Sequence, residues 1–185
     1  MTLQGFAQID TLHLRFKGVP ITGTLSNYVA EMKQTGLELV ENDKGVALLY
    51  GDFAGYKRCE VLVQTLANND LVCEITVGFP EQGVWTDLES DYQKLKDMLT
   101  KKYGKPDTSK EEFVNMPNYM KSVSDGNMYG VWYNHCAYSS TFKTTKGEIL
   151  LYINKGTQPV SGKVNLRYKD KVNSQILEKI AIDDL

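Results

Sequence analysis

The chain has 185 residues, of which 42% are apolar and 24% are charged. A chain of this length and composition buries roughly 70% of its unfolded surface when it folds, which excludes a disordered protein. Its 21 basic and 23 acidic residues give a net charge of -2, so it lacks the excess of positive charge that proteins binding nucleic acid or anionic membranes usually carry.

In the first part of the chain, the apolar pattern predicts one helix followed by four strands. Residues 12–16 alternate as in a half-buried strand, and a helical pattern then ends at Gly36. The residues with helical spacing are Leu25, Tyr28, Val29 and Met32. The β segments that follow are 37–41, 47–50, 59–66 and 71–79. Turn residues separate these segments, so we expect an antiparallel four-stranded meander.

A longer amphipathic helix is predicted from residue 86 to residue 103. Thr86 and Glu89 have the spacing of a capping box, and Gly104 marks the end of the helix. The apolar stripe consists of Leu88, Tyr92, Leu95, Met98, Leu99 and Tyr103. A stripe of this kind predicts that the helix lies flat on a sheet, with Leu95 among its most buried residues.

The last part of the chain returns to a β pattern after an irregular stretch. Residues 107–127 show no clear periodicity and are predicted to be loop and turn. Strands are predicted at 130–142, 148–154 and 160–168. Asn173 is a candidate N-cap, so a last helix and a frayed tail are expected over 173–185.

These elements predict an α+β fold in which helices pack on one face of antiparallel sheet. We expect one globular domain over 1–185, with similar αβ units at 12–80 and 85–170. The units form either two α-plus-meander structures side by side or one continuous sheet around the helix at 86–103. An internal duplication and two unrelated αβ units would both give this pattern.

Three segments resemble a group of uncharacterised Bacteroides-type proteins. The segments are Phe16-Lys17-Gly18-Val19-Pro20-Ile21-Thr22-Gly23-Thr24, Gly51-Asp52-Phe53-Ala54-Gly55-Tyr56, and Trp85-Thr86-Asp87-Leu88-Glu89 followed by Lys102-Tyr103-Gly104-Lys105-Pro106. The resemblance implies an exported protein but no particular activity. The order of elements is also similar to the tandem α-β4 units of the β-lactamase inhibitor protein fold, which implies an architecture and favours a binding role.

The compartment follows from signals that are missing. Residues 1–10 lack a basic start followed by an apolar run, so no secretory signal is predicted. The protein is therefore cytoplasmic as written, or periplasmic or secreted if a signal peptide has been removed. The longest apolar runs, such as 46–50, are far shorter than the roughly 20 residues that cross a bilayer, and no membrane span is predicted.

Motifs for metals, cofactors and nucleophilic catalysis are not found in the sequence. Cys59, Cys73 and Cys136 are an odd number at irregular spacing, which is typical of neither a disulfide framework nor a zinc site. We expect Cys59 and Cys73 to be buried free thiols. Glycine-rich phosphate loops are absent as well, so neither a metal nor a cofactor is predicted.

One aromatic segment is the best candidate for a site. Trp132, Tyr133, His135 and Tyr138 combine rings that can stack on a ligand with groups that can hydrogen-bond to it. On a strand, Trp132 and Tyr138 share one face and Tyr133 and His135 the other, so at most one set can lie in a core. We predict a non-catalytic binding module that holds a protein, peptide or glycan on an aromatic sheet face. Packing of these aromatics within the fold is the alternative.

An enzymatic function is the second hypothesis. A hydrolase or transferase would have to assemble its site from dispersed residues, of which Asp52, His135 and Cys136 are the plausible reactive set. His135 and Cys136 are neighbours in sequence, but regular β geometry would direct their side chains to opposite faces. A catalytic site would therefore depend on tertiary contacts that the sequence pattern does not indicate.

Overall fold

The computed structural model of the protein describes residues 12–66 and 69–183. Within these residues, the chain forms an eight-stranded antiparallel sheet, a separate two-stranded hairpin and several helices. Two of the helices place their apolar stripes in one core with a single face of the large sheet. The α+β prediction is therefore confirmed.

The first unit is a helix followed by a meander, as predicted. Helix α1 spans Leu25–Gln34, and the hydroxyl of Thr24 accepts a hydrogen bond from the Asn27 N–H at its start. The strands are β3 (Glu38–Asp43), β4 (Val46–Phe53), β5 (Tyr56–Leu66) and β6 (Asn69–Gly78). Lys44 and Gly45 alone connect β3 to β4, and both have positive φ angles, the geometry that tight hairpins use.

The second unit repeats this order with a longer helix. Helix α2 spans Trp85–Tyr103. The strands are β7 (Thr108–Phe113), β8 (Cys136–Thr144), β9 (Gly147–Lys155) and β10 (Gly162–Asp170). Strand β10 pairs with β6, so the order across the sheet is β3-β4-β5-β6-β10-β9-β8-β7. The structure thus combines both expected arrangements, because two α-plus-meander units share one continuous sheet.

The predicted strand at 12–16 is shorter in the structure. Strand β1 covers only Arg15–Phe16 and pairs with β2 (Val19–Pro20). The centroid of the Phe16 ring lies 5.1 Å from that of Phe53 and 5.5 Å from that of Tyr168. The hairpin therefore links β4 of the first unit to β10 of the second.

Two predictions between residues 107 and 142 are wrong. The expected loop at 107–127 contains β7, which forms an edge of the sheet, and helix α3 (Asn118–Lys121). The expected strand at 130–142 is divided between helix α4 (Gly126–Trp132) and strand β8, which begins only at Cys136. Trp132 and Tyr138 consequently do not share one strand face.

The structure confirms the predicted apolar stripe of helix α2 but not its predicted N-terminal cap. Leu88, Tyr92, Leu95 and Leu99 are buried, whereas Met98 is 41% exposed and lies outside the contact. The helix begins at Trp85, and no side chain of its N-cap residue bonds to it. A carboxylate from the distant Asp125 instead lies 3.4 Å from the Trp85 N–H, which replaces the expected capping box.

Helix α5 (Lys171–Asp183) follows β10 directly and begins earlier than predicted. The buried Asp170 carboxylate accepts hydrogen bonds from the N–H groups of Leu14 and Asn173, at 2.8 and 2.9 Å, and lies 3.1 Å from His13 Nδ1. Asp170 therefore caps α5 and also fixes the segment before β1. The end of the predicted frayed tail, 184–185, lies outside the described residues.

Candidate binding site

The connection between β7 and β8, residues 114–135, is the largest departure from the shared plan of the two units. It carries α3 and α4, which pack closely because Gly126 has no side chain: a Cβ there would lie 1.9 Å from the Met120 carbonyl oxygen. Met128 and Val131 of α4 are buried in the main core. This packing fixes the insertion against the sheet.

The outer surface of this insertion forms an apolar groove. The α3–α4 groove has a volume of about 730 Å³, and its lining includes Pro117, Tyr119, Val123, Tyr129, Tyr133 and His135. Four of these are large side chains that stay open to solvent: Tyr119 is 68% exposed, Tyr133 55%, Val123 48% and Tyr129 38%. Contiguous exposed aromatic surface of this kind is characteristic of binding sites.

His135 closes the base of the insertion. Its backbone N–H donates to the Gly130 carbonyl at 2.7 Å, and its carbonyl accepts from the Val114 N–H at 2.8 Å. The ring Nδ1 lies 3.1 Å from the Val114 carbonyl oxygen. Because a carbonyl only accepts, this contact assigns the hydrogen to Nδ1 and leaves Nε2 directed away from the Val114 carbonyl.

The structure separates the four residues of the predicted site. Tyr133 and His135 line the α3–α4 groove, whereas Trp132 is half-buried at the end of α4 with Lys155 Nζ 6.0 Å from its ring centroid. Tyr138 lies under α2, where its ring packs 5.0 Å from Trp85 and its hydroxyl donates to Glu89 at 3.0 Å. The supposed aromatic sheet face is therefore not formed, because its members lie on different elements.

The residues of the enzymatic hypothesis are not brought together either. Asp52 lies on β4 and forms an ion pair with Lys57, whereas Cys136 begins β8. Five strand spacings separate β4 from β8 in the sheet, which is about 24 Å at ordinary strand separation. Burial raises the pKa of the Cys136 thiol to about 11, so it is protonated at neutral pH.

Tyr119 and Val123 belong to the groove but were absent from the predicted site. Neither lies in a periodic apolar pattern, since α3 is a helix of only 4 residues and Val123 follows it. The one available signal was length, because connections longer than about 12–15 residues in a compact fold are uncommon and are frequently functional.

Among residues 12–66 and 69–183, no group of three or more His, Cys, Asp or Glu residues could hold a metal ion. The helices within the same ranges are too short or too polar to cross a membrane. Cys59 and Cys73 are buried free thiols, as predicted.

Comparison with known proteins gives no relative. No family model matches the chain, and no curated protein or solved structure is significantly similar to it. The resemblance to Bacteroides-type proteins and to the β-lactamase inhibitor protein fold stays a prediction.

Proposed function

We propose that the protein is a non-catalytic binding module that holds apolar side chains of a partner polypeptide in the α3–α4 groove. The observation that carries this proposal is the contiguous exposure of Tyr119, Val123, Tyr129 and Tyr133 on an insertion whose other face is buried in the core. Leaving these side chains in water costs hydrophobic free energy that a bound apolar side chain would recover.

The chemistry of the lining favours a polypeptide over an ionic ligand. The lining residues include no Asp, Glu, Lys or Arg, so the groove offers no ion pair to a charged ligand. Tyrosine combines a large apolar ring with a hydroxyl at its tip, and it is enriched at protein interfaces for that reason. The tyrosine hydroxyls and the His135 ring can form hydrogen bonds with the amide groups of an extended peptide.

Selection from a library of random 12-residue peptides on phage, run beside a glycan array, tests the proposal. We expect wild-type protein to select peptides rich in apolar and aromatic residues. Synthetic copies of those peptides, measured by fluorescence anisotropy, should bind Tyr133→Ala or Tyr119→Ala about tenfold more weakly, which corresponds to roughly 1.4 kcal/mol.

Val40→Ala is the matched control, because Val40 is 59% exposed on β3, outside the groove. Its peptide affinity should stay within about twofold of wild type, since it removes exposed apolar surface elsewhere. Selected peptides that bind the tyrosine variants as tightly as wild type would contradict the site. Glycan binding without peptide binding would contradict the proposed ligand class.

A further inference from the structure

A second surface lies on the face of the large sheet opposite the core. Along β5, the buried Cys59, Val61 and Val63 alternate with the half-buried Glu60 and Leu62. The same alternation holds along most of β4, β6 and β9 and in the second half of β8, so the half-buried positions form an open face. The edge strands β3 and β7 are exposed at nearly every position, and Gly78 and Asn165 are buried although the register places them on this face. Strand register arranges three rows on this face: Glu38-Tyr50-Glu60-Gly78-Asn165-Tyr152-Ser139-Lys110, Glu41-Leu48-Leu62-Thr76-Arg167-Leu150-Thr141-Thr108, and Asp43-Val46-Gln64-Glu74-Lys169-Glu148-Lys143.

Charge is divided between the two halves of this open face. In the three rows, β3 to β6 contribute only acidic charges, and β10 to β7 contribute basic charges with one acid, Glu148. Beside the rows, Glu112 on β7 adds an acid to the second half, and Arg58, which lines a pocket together with Glu38, adds a base to the first. The acids of the first half are Glu38, Glu41, Asp43, Glu60 and Glu74. The bases of the second half are Lys110, Lys143, Arg167 and Lys169.

Ion pairs partly compensate this division along the middle of the sheet and at the β7 edge. In the middle, Glu60 Oε2 lies 2.7 Å from Lys163 Nζ, and Glu74 Oε2 lies 4.0 Å from Arg167 Nε. At the β7 edge, Lys110 Nζ lies 3.0 Å from Glu112 Oε1. Towards the β3 edge, the described residues provide no ion pair for Glu38, Glu41 or Asp43. Acids without an ion pair therefore lie towards the β3 edge, and Lys143 and Lys169, for which the described residues provide no ion pair either, lie in the other half of the face.

We propose that the open face binds a second copy of this chain, related by a two-fold axis that runs parallel to the strands between β6 and β10. Such an axis places the first half of each copy over the second half of the other while keeping the rows aligned. Glu38 then faces Lys110 of the second copy, Glu74 faces Lys169, and Leu62 faces Leu150. The alternative axis, across the strands, would place acidic half on acidic half.

The size of the face is sufficient for a stable dimer. Eight strands at about 4.8 Å and three rows along the strands cover on the order of 700 Å², or about 1,400 Å² for both copies. This lies within the range of specific interfaces. Packed sheets usually align their strands within about 30°, which keeps the rows in approximate register.

Sedimentation equilibrium of the full chain tests the dimer. We expect a reversible dimer whose dissociation constant rises with salt, because the outer ion pairs are exposed to solvent. Glu38→Lys and Lys110→Glu should each weaken the dimer about tenfold, since each reversal creates two like-charge contacts in the symmetric complex. The double variant should return to within about threefold of wild type, because the swapped charges pair again.

Lys101→Glu provides the control, because Lys101 is exposed on α2, on the opposite side of the sheet. Its dissociation constant should match that of wild type within about twofold. A wild-type protein that remains monomeric at about 1 mM in low salt would overturn the proposal, as would a dimer that neither single reversal weakens. All variants change exposed side chains, and a thermal melt verifies that each is folded. Peptide binding in the α3–α4 groove is a separate measurement, so either proposal can fail alone.

Discussion

The two units of the molecule follow the same plan but differ at one connection. In the first unit, Lys44 and Gly45 alone join β3 to β4, and α1 has 10 residues. In the second, residues 114–135 separate β7 from β8, and α2 has 19 residues. The added segment buries one side in the shared core and exposes the other. Comparison of the units thus distinguishes the shared helix and strands, which build the core and the sheet, from the added segment, which leaves apolar side chains exposed.

The largest effect is expected at the centre of the α2 stripe. Leu95 is 2% exposed, so Leu95→Ala should lower the free energy of unfolding by about 2–5 kcal/mol. Urea denaturation followed by circular dichroism measures this loss. Lys101→Ala, on the exposed side of the helix, should change stability by no more than about 0.5 kcal/mol. Equal losses would show that the buried face of the helix is assigned wrongly.

The close packing of α3 on α4 predicts the next effect. Gly126→Ala should cost about 1–3 kcal/mol, because the new Cβ would collide with the Met120 carbonyl oxygen. Gly83→Ala is the control, since a Cβ at Gly83 meets no atom within 4 Å. Chemical denaturation measures both variants. A stable Gly126→Ala variant with normal peptide binding would mean that the insertion tolerates rearrangement.

A pH-dependent effect is expected at the joint between the units. Partial burial acts to raise the pKa of the Glu81 carboxyl, but hydrogen bonds from Thr157, Ser161 and Gln158 outweigh it and lower the pKa to about 2. Because the folded-state pKa is depressed, the stabilisation is fully present above the ordinary value of 4.5 and is lost as the pH falls towards 2.

Glu81→Gln should therefore cost about 1.5 kcal/mol at pH 7, in line with hydrogen bonds to charged groups. The difference from wild type should shrink steadily between pH 4.5 and pH 2. Urea melts across this range measure the change. A difference that stays constant with pH would contradict the role of the ionised carboxylate.

The smallest effects compare two tyrosines of the predicted site. Tyr138→Phe removes the hydroxyl that donates to Glu89 beneath α2, and should cost about 1 kcal/mol. Tyr133→Phe should change stability by less than about 0.5 kcal/mol, because Tyr133 is exposed. Thermal melts compare the pair. A larger loss of stability for Tyr133→Phe would mean that the Tyr133 side chain contributes to the packed core rather than to the exposed surface of the α3–α4 groove.

The sequence predicted those elements that local residues specify. Gly36 and Gly104 end the two main helices, and the Lys44–Gly45 turn sets the hairpin between β3 and β4. Strand β7 was missed because it forms an edge of the sheet and its residues are exposed, so no apolar alternation marks it. The cap of α2 was missed because Asp125, a residue far along the chain, supplies the carboxylate. Such non-local contacts leave no pattern in a window of sequence.

The candidate site was predicted only in part. Aromatic residues favour strands, and this preference led to the wrong assignment of Trp132 and Tyr133 to β structure. In the structure, burial of Met128 and Val131 against the core stabilises α4 as a helix despite two glycines. Tertiary packing outweighed local preference there, so the groove could not be derived from the residues alone.

The position of β10 has a consequence for synthesis of the protein. Ribosomes deliver a chain in sequence order, so both meanders can form before Gly162–Asp170 is available. Until then β6 and β9 are unpaired edges, and edges of that kind readily pair with the wrong chain. The arrival of one nine-residue strand converts both edges into a continuous ladder. The interval before it emerges is when the nascent protein is most exposed to misassembly.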